Sequence, residues 1–417
     1  MRLRVQLDLS YTKLRFAVQI PLHWNLTFMT VVYRRSLLSN IRSLTCLFFI
    51  SIAMTHSVLG ESLNVWLGTG RSPQSSGIYH CKLDTSNGKL TEPKLVAEME
   101  GPGFLAKHPK LPVLYAVGGI KNEQVVAAFA ITDDGKSPSL SLMNAVAIGD
   151  GGAAHVAIDA TGKTLLTAQY GGGSVASFAL GNDGSITART KLIKHDGGSR
   201  VVSNRQDASH AHWVGFSPDN RFAFVPDLGL DRVLIYKLDP ENSSIERHGE
   251  GVTPPGSGPR HMKFHPKGRW IYVLNELSLT ITQFEYDATK GTMNPVQTLE
   301  TVPAVELARE KAKSASEIRI HPNGKYVYSA NRGHDSISVF EIEALSGNLK
   351  RIQIENARAI TPRNFNVSPS GEWLLVAGQA SHTLAAFSIE SDSGRIVFNQ
   401  NSVYAPSTIC VMFDDGK

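Results

Sequence analysis

Cysteine is scarce: three residues among 417, of which Cys46 lies in an N-terminal apolar stretch. A disulfide framework is thereby excluded as the main source of stability, leaving Cys81 and Cys410 as the one pair to consider. Metal-ligand spacing is missing as well, since no Cys/His or acidic pattern has the separations such sites need. His210, His212 and His382 are the weak exception, and no metal or cofactor is expected. There is no Gly-x-Ser-x-Gly nucleophile elbow. Gly171-Gly172-Gly173 opens no helical pattern, which makes it a flexible connection and not a phosphate loop. Sustained helical periodicity is absent throughout.

Long apolar runs are equally rare. Residues 44–54 (LTCLFFISIAM) form an eleven-residue run, too short to cross a bilayer. Arg34, Arg35 and Arg42 precede it and Val58-Leu59-Gly60 offers a small-residue cleavage site, the order of a secretory signal peptide. Residues 1–60 therefore read as a leader, with Met29 as a second candidate start. The expectation is an exported protein with no stable membrane span after cleavage. An uncleaved anchor is the alternative reading of this segment, and a cytoplasmic protein follows if the leader is a start-site artefact. The leader holds seven Lys/Arg and one Asp, so 35 basic and 36 acidic residues remain of the chain's 42 and 37. The remainder is near neutral, and no nucleic-acid partner is implied.

What the sequence does contain is a repeat. Turn anchors recur at His108-Pro109, Asp159-Ala160-Thr161-Gly162, Ser217-Pro218-Asp219, His265-Pro266-Lys267-Gly268, His321-Pro322-Asn323-Gly324 and Ser368-Pro369-Ser370-Gly371. A degenerate copy ends the chain at Phe413-Asp414-Asp415-Gly416. Their mean spacing is about 51 residues, in the range of propellers and solenoids. An alternating strand precedes each anchor (Met262, Phe264; Ile318, Ile320; Phe365, Val367) and a β-rich run follows it (270–274, 326–329, 373–377). A third strand and a turn into a fourth come next, which is one propeller blade. Residues 61–417 accommodate seven such blades. The mature chain begins on a second-type strand and ends on a first-type one, so the termini can share a blade and leave no open edge. The prediction is an all-β, seven-bladed β-propeller spanning 61–417. In the shared blade Cys410 and Cys81 are separated by a strand, about 9.6 Å apart at the usual strand spacing. That exceeds disulfide reach, and two buried free thiols are expected.

The same frame identifies a candidate site. In an antiparallel meander, the residue six before an anchor and the residue ten after it lie at the same end of a blade. In the fourth repeat these are Arg260 and Glu276. Across the blades the earlier position gives Gly103, Ala154, His212, Arg260, Ser316, Arg363 and Ile409. The later one gives Gly119, Tyr170, Leu228, Glu276, Arg332 and Gln379. Ionisable residues gather in four consecutive blades, and Arg319 lies one step deeper in the same sector. A purely structural repeat would fill equivalent positions alike. His108, His265 and His321 sit at the opposite end, beside the turn prolines, and read as blade architecture.

The stretches "DASHAHWVGFSPDNRFAFVPDLGLDRV", "GSGPRHMKFHPKGRWIYVLNEL" and "SEIRIHPNGKYVYSANRGHDSISVFE" resemble the seven-bladed propeller 6-phosphogluconolactonases, whose relatives include the fungal 3-carboxy-cis,cis-muconate lactonizing enzyme. The resemblance covers residues 63–417 and implies a catalytic set of one His, one Glu and two Arg. Carried over, these are His212, Arg260, Glu276 and Arg319, with His210 as the alternative histidine. The repeat offsets select His212, Arg260 and Glu276 independently, whereas Arg319 rests on the resemblance. His210, Arg332, Arg363 and Gln379 complete the expected substrate-binding residues. The implied activity is metal-independent hydrolysis of a small anionic lactone, 6-phosphogluconolactone to 6-phosphogluconate. Glu276 is expected as base and His212 as proton donor, in roles that could be exchanged. A lactonizing cycloisomerase and a non-catalytic exported binding propeller are the alternatives. An export signal sits uneasily with the intracellular pentose-phosphate substrate, which weighs on the phosphate more than on the chemistry.

Overall fold

The repeat becomes seven four-stranded antiparallel sheets in the computed structural model, which describes residues 4–6, 15–17, 62–133, 138–310 and 312–414. The signal-peptide run, the cleavage site, Met29 and the last two anchor residues lie outside the described residues. Two compact units divide the chain at residue 57. In the first, Arg4–Gln6 pairs with Arg15–Ala17.

In the second unit, blade 1 is the shared one: Thr408–Asp414 pairs with Ser62–Thr69, followed by Gly77–Asp84 and Lys94–Glu98. The register runs from Asn64↔Asp414 to Thr69↔Thr408, so backbone hydrogen bonds close the ring. Blades 2 to 7 begin on Glu100–Lys107, Ala153–Ile158, Gly215–Phe216, Pro259–Phe264, Ser314–Ile320 and Pro362–Val367, each the innermost strand of its sheet. Neighbouring inner strands pack against one another around the ring, and between blades 4 and 5 Pro259–Phe264 packs on the second strand of blade 4, Phe222–Asp227. Among the described residues the one helix is the single turn Ala304–Leu307.

The anchor histidines hold neighbouring blades together. His265 Nδ1 accepts the amide of Lys267 at 3.1 Å while Nε2 donates to the Gly324 carbonyl of the next blade at 2.8 Å. His108 and His321 do the same toward Gly162 and Gly371, at 3.0 and 2.9 Å. Gly162, Gly324 and Gly371 have φ of +79°, +70° and +81°, where a side chain would be strained, and at Gly162 and Gly371 it would also collide with the histidine ring. Second-strand tyrosines repeat the device: Tyr115, Tyr272 and Tyr328 donate to the carbonyls of Gly184, Gly347 and Gly394, at 2.6, 2.7 and 3.0 Å. Each tyrosine therefore buries its ring between blades without stranding its hydroxyl. Full burial of an aromatic or branched side chain contributes roughly 1.5–3 kcal/mol, so the core is spread over seven similar interfaces.

Cys81 and Cys410 are free and buried, and burial pushes both thiols up to about 12. The two longest anchor intervals, 160 to 218 and 266 to 322, are where the chain leaves the blade pattern. The first contains the loop 195–214, and the inner strand of blade 4 shrinks to Gly215–Phe216 beside it.

Candidate active site

A β-bulge is what aims the candidate residues at the channel. Strand pairing skips between Pro259 and His261, between Pro362 and Asn364, and between Ala153 and His155. The residues left out of the ladder are Arg260, Arg363 and Ala154, all at the position six before the anchor. An unpaired bulge residue bends the strand and re-aims its side chain. His212 reaches the same level without a regular strand, through its amide bond to the Pro226 carbonyl at 3.0 Å. Glu276 follows the second strand of blade 5, and its amide donates to the Gly258 carbonyl at 2.7 Å. The sequence-distant pair is thus a contact: Arg260 Nε donates to Glu276 Oε2 at 2.9 Å.

Glu276 is the hub of this mouth. Arg205 Nη2 donates to Oε1 at 2.6 Å, Arg332 Nη2 lies 3.2 Å from Oε2, and His212 Nε2 lies 4.0 Å from Oε2. Arg260 Nη1 also donates to the Ser316 carbonyl, and Arg332 Nη2 to that of Ala315 at 3.1 Å. Tyr170 stacks on His210 with ring centres 4.6 Å apart and meets His212 edge-on at 5.3 Å. A cavity of about 600 Å³ opens over this group, lined by five arginines (71, 205, 260, 332 and 363) and a single carboxylate, Glu276. Gly103, Gly152, Gly171 and Ala154 form its other wall, where small residues leave room for a ligand.

Charge and burial decide the protonation states. Burial pushes the Glu276 carboxyl up, but Arg332, Arg260, His212 and Arg205 together outweigh it and hold the group well below the usual carboxylate range. Burial, then Arg260 and His261, drives His212 well below its ordinary value, so the imidazole is neutral. Arg260 falls to about 9 through burial and the adjacent Arg332. Arg363 is lowered by burial and by Arg332 in the same way. Its guanidinium has no hydrogen-bond partner among the described residues, although it lines the cavity.

Of the expected residues, His212, Arg260, Glu276, Arg332 and Arg363 line one cavity. Arg319 does not. It lies three residues before its anchor, where it pairs with Tyr328 one level below the mouth, the place that Lys263 holds opposite Tyr272 in blade 5. There it donates to Glu317 Oε1 and Asn366 Oδ1, both at 2.9 Å. His210 turns behind the mouth, where its Nδ1 donates to the Tyr170 carbonyl at 2.8 Å and its amide to Asp227 at 2.7 Å. Gln379 stands by Gly70 and is not among the lining residues. Arg205 was invisible to the repeat because it sits in the 195–214 loop, which has no counterpart in other blades. Tyr170 occupies a repeat offset, but an aromatic ring there carries no charge to flag it. His261 is a further lining residue that the offsets do not select.

A cleft of about 720 Å³ lies along the outer strands of blade 4 and includes His195 and Tyr236. His195 there is satisfied on both sides, by Asp227 at 2.7 Å and the Tyr236 hydroxyl at 2.8 Å, and offers no free acid or base. The chemistry is concentrated at the channel mouth.

Residues 64–413 match the model of the family described as "Lactonase, 7-bladed beta-propeller". A 6-phosphogluconolactonase of Bacillus subtilis is 32% identical over 348 residues, covering 84% of this chain and 97% of that protein. Another 6-phosphogluconolactonase, from Formosa agariphila, is 32% identical over 71% of this chain and 83% of its own length. Among solved structures, the periplasmic gluconolactonase of Pseudomonas aeruginosa superposes with a TM-score of 0.78 at 27% identity, over 85% of this chain and 99% of that one. Fold, site and sequence agree that this chain belongs to the seven-bladed β-propeller lactonase family.

Proposed function

We propose that the protein hydrolyses an anionic sugar δ-lactone, with 6-phosphoglucono-δ-lactone as the substrate best suited to the cavity. The observation that carries this is the surplus of cationic groups: five arginines line the cavity with one carboxylate, Arg71 being paired with Glu100 beside it, and Arg363 has no hydrogen-bonding partner among the described residues. A phosphate supplies oxygens that a planar guanidinium can bind in pairs. Arg363 and the free donors of Arg332 hold the phosphate, and Arg260 and Arg205 face the lactone carbonyl.

The base is His212 and not Glu276. Glu276 Oε2 already accepts from Arg260 and is ion-paired with Arg332, Oε1 accepts from Arg205, and these cations favour its ionised form. A carboxylate so held is a poor proton acceptor. His212 is neutral and lines the cavity, with Nε2 4.0 Å from Glu276 Oε2. As the water oxygen bonds to the lactone carbon, its proton passes to His212 Nε2, and Glu276 stabilises the imidazolium. The arginines stabilise the tetrahedral oxyanion. When the ring C–O bond breaks, the ring oxygen takes the proton back from His212. The product acid then ionises to solvent.

The test is acid release by the purified protein from fresh 6-phosphogluconolactone and from glucono-δ-lactone, with the spontaneous rate subtracted. Glu276→Gln and His212→Gln are each expected to lower kcat by about 10²–10⁴ on the phosphorylated lactone. Unchanged turnover in both variants would refute the assignment. Preference for glucono-δ-lactone would favour a second reading, an exported sugar-lactonase, supported by the likeness to the periplasmic gluconolactonase and by the leader. Turnover of neither lactone would leave the muconate-type and binding readings.

A further inference from the structure

We infer that Gln206 and Asp231 form a clasp that sets Arg205 over Glu276, by tying the loop outside the repeat to the backbone that carries Arg260 and Glu276. Both are positioning residues, since they act through Arg205. The inference deepens the proposed function and rests on its reading that Arg205 faces the lactone carbonyl.

The problem to be solved is one of reach. Of the three arginines around Glu276, Arg260 and Arg332 stand on blade strands, whereas Arg205 comes from the loop 195–214 and its side chain is 38% exposed. A long side chain on a loop has many rotamers and needs a fixed foothold to present its guanidinium in one place. Arg205 Nη2 nevertheless donates to Glu276 Oε1 at 2.6 Å and to the Tyr170 hydroxyl at 3.4 Å. The guanidinium makes no other hydrogen bond among the described residues, which leaves its remaining donors for a ligand in the cavity it lines.

The foothold is the next residue. Gln206 is fully buried: Oε1 accepts from the Val202 amide at 3.0 Å, and Nε2 donates to the Leu228 carbonyl at 2.9 Å and to Asp231 Oδ1 at 2.7 Å. Beside it the Ser199 amide donates to the Gly229 carbonyl at 2.7 Å. Asp227 holds the loop at both ends, accepting from His195 Nδ1 and from the His210 amide, each at 2.7 Å. The loop is thereby bonded along Asp227-Leu228-Gly229-Leu230-Asp231, a part of the first family-like stretch that the proposed chemistry does not use.

Asp231 also faces the next blade. Oδ1 accepts from the Gly258 amide at 2.8 Å and Oδ2 from the Gly256 amide at 2.7 Å. Gly258 stands two residues before Arg260, and its carbonyl accepts the Glu276 amide at 2.7 Å. One carboxylate therefore fixes the loop of Arg205 and the backbone of Arg260 and Glu276 together.

The repeat separates this role from blade architecture. Asp231 lies thirteen residues after its anchor proline, and that position holds Leu279, Asp335 and His382 in blades 5 to 7. All four have positive φ, at +55°, +52°, +48° and +53°. Asp335 and His382 likewise accept the amides of Thr361 and Ser407, at 3.0 and 2.9 Å, two residues before mouth positions 363 and 409. Leu279 has no acceptor on its side chain, yet blade 5 makes the same turn, so the turn does not require one. The bond to Gln206 is what Asp231 has in addition, and it leads to the loop that carries Arg205.

The experiment is a double-mutant cycle in steady-state hydrolysis of 6-phosphogluconolactone by the full protein: wild type, Gln206→Met, Arg205→Met and both together. Donors to an oxyanion act in the transition state, so Arg205→Met is expected to lower kcat by about 10–100-fold. Gln206→Met keeps the arginine but loosens its foothold, and should lower kcat by about tenfold with KM within about twofold. On the Arg205→Met background the same substitution should lower kcat by less than about twofold, because the clasp has nothing left to position. Gln206→Asn, whose amide stops one methylene short of Asp231, supplies the same cycle if Gln206→Met fails to fold. Equal losses in both backgrounds, or wild-type turnover in the Gln206 variants, would overturn the clasp and leave lactone hydrolysis standing. Undiminished kcat in Arg205→Met would overturn it as well, by removing the group it positions. Turnover indifferent to both His212→Gln and Glu276→Gln would instead remove the proposed function and the clasp with it.

Discussion

Replacing Arg363 with methionine removes a partly buried charge that has no hydrogen bond to lose among the described residues, and this makes it a sharp test of substrate class. In the free protein the guanidinium is destabilised by burial and by Arg332, and its folded-state pKa is lowered accordingly. A cation with a depressed pKa opposes folding at every pH where it stays charged, so R363M should have an equal or higher Tm. On the proposed reading the guanidinium acquires a phosphate when substrate binds. Hydrogen bonds to charged groups contribute about 1.5–3 kcal/mol, which corresponds to roughly a 10–100-fold rise in KM for the phosphorylated lactone. For glucono-δ-lactone, which has nothing to place against Arg363, KM should change by less than about threefold. The assay is acid release at several concentrations of each lactone, with thermal melts of the free variant alongside. An equal loss on both lactones would refute the phosphate assignment and return Arg363 to the reaction centre. A lower Tm would refute the claim that it lacks a stabilising partner.

Three further outcomes follow from the same geometry. Glu276 has a folded pKa depressed below its ordinary 4.5, so its contribution to stability is present above about pH 4.5 and fades as pH falls toward the folded value. The Tm of Glu276→Gln should therefore lie below wild type at pH 7 and converge with it in acid, and a gap independent of pH would contradict this. Deleting residues 408–417 removes the strand paired with Ser62–Thr69 and exposes an apolar edge, so the truncated protein should aggregate or unfold. A soluble, cooperatively melting truncation would refute ring closure as a source of stability. Cys81 and Cys410, buried and with thiols pushed up to about 12, should be unreactive toward a thiol reagent until denaturant unfolds the propeller.

Much of this was legible because a propeller writes its architecture in local repeats. His-Pro or Ser-Pro turns mark five of the seven blades, and Asp159-Ala160-Thr161-Gly162 and the degenerate Phe413-Asp414-Asp415-Gly416 stand at the other two, since a similar backbone turn must be made each time. Counting from them located Arg260, Glu276, His212, Arg332 and Arg363 at one mouth. The count did not select Arg319, which rested on the resemblance and pairs with Tyr328 one level below the mouth. It also passed over Arg205, in a loop outside the repeat whose path depends on packing over the mouth.

By itself, then, the sequence determined the strand pattern, the number of blades, the shared closing blade and the sector in which charge accumulates, because these follow from side-chain period and turn chemistry within about 50 residues. Only the tertiary structure decided which charges meet. That Glu276 is shared by Arg205, Arg260 and Arg332, that Arg363 lacks a hydrogen-bond partner among the described residues, and that His261 bonds Glu317 below the mouth depend on bulge register and on blades 4 to 7 facing a common axis. Contacts across a channel join residues from separate blades, and no short-range pattern encodes them.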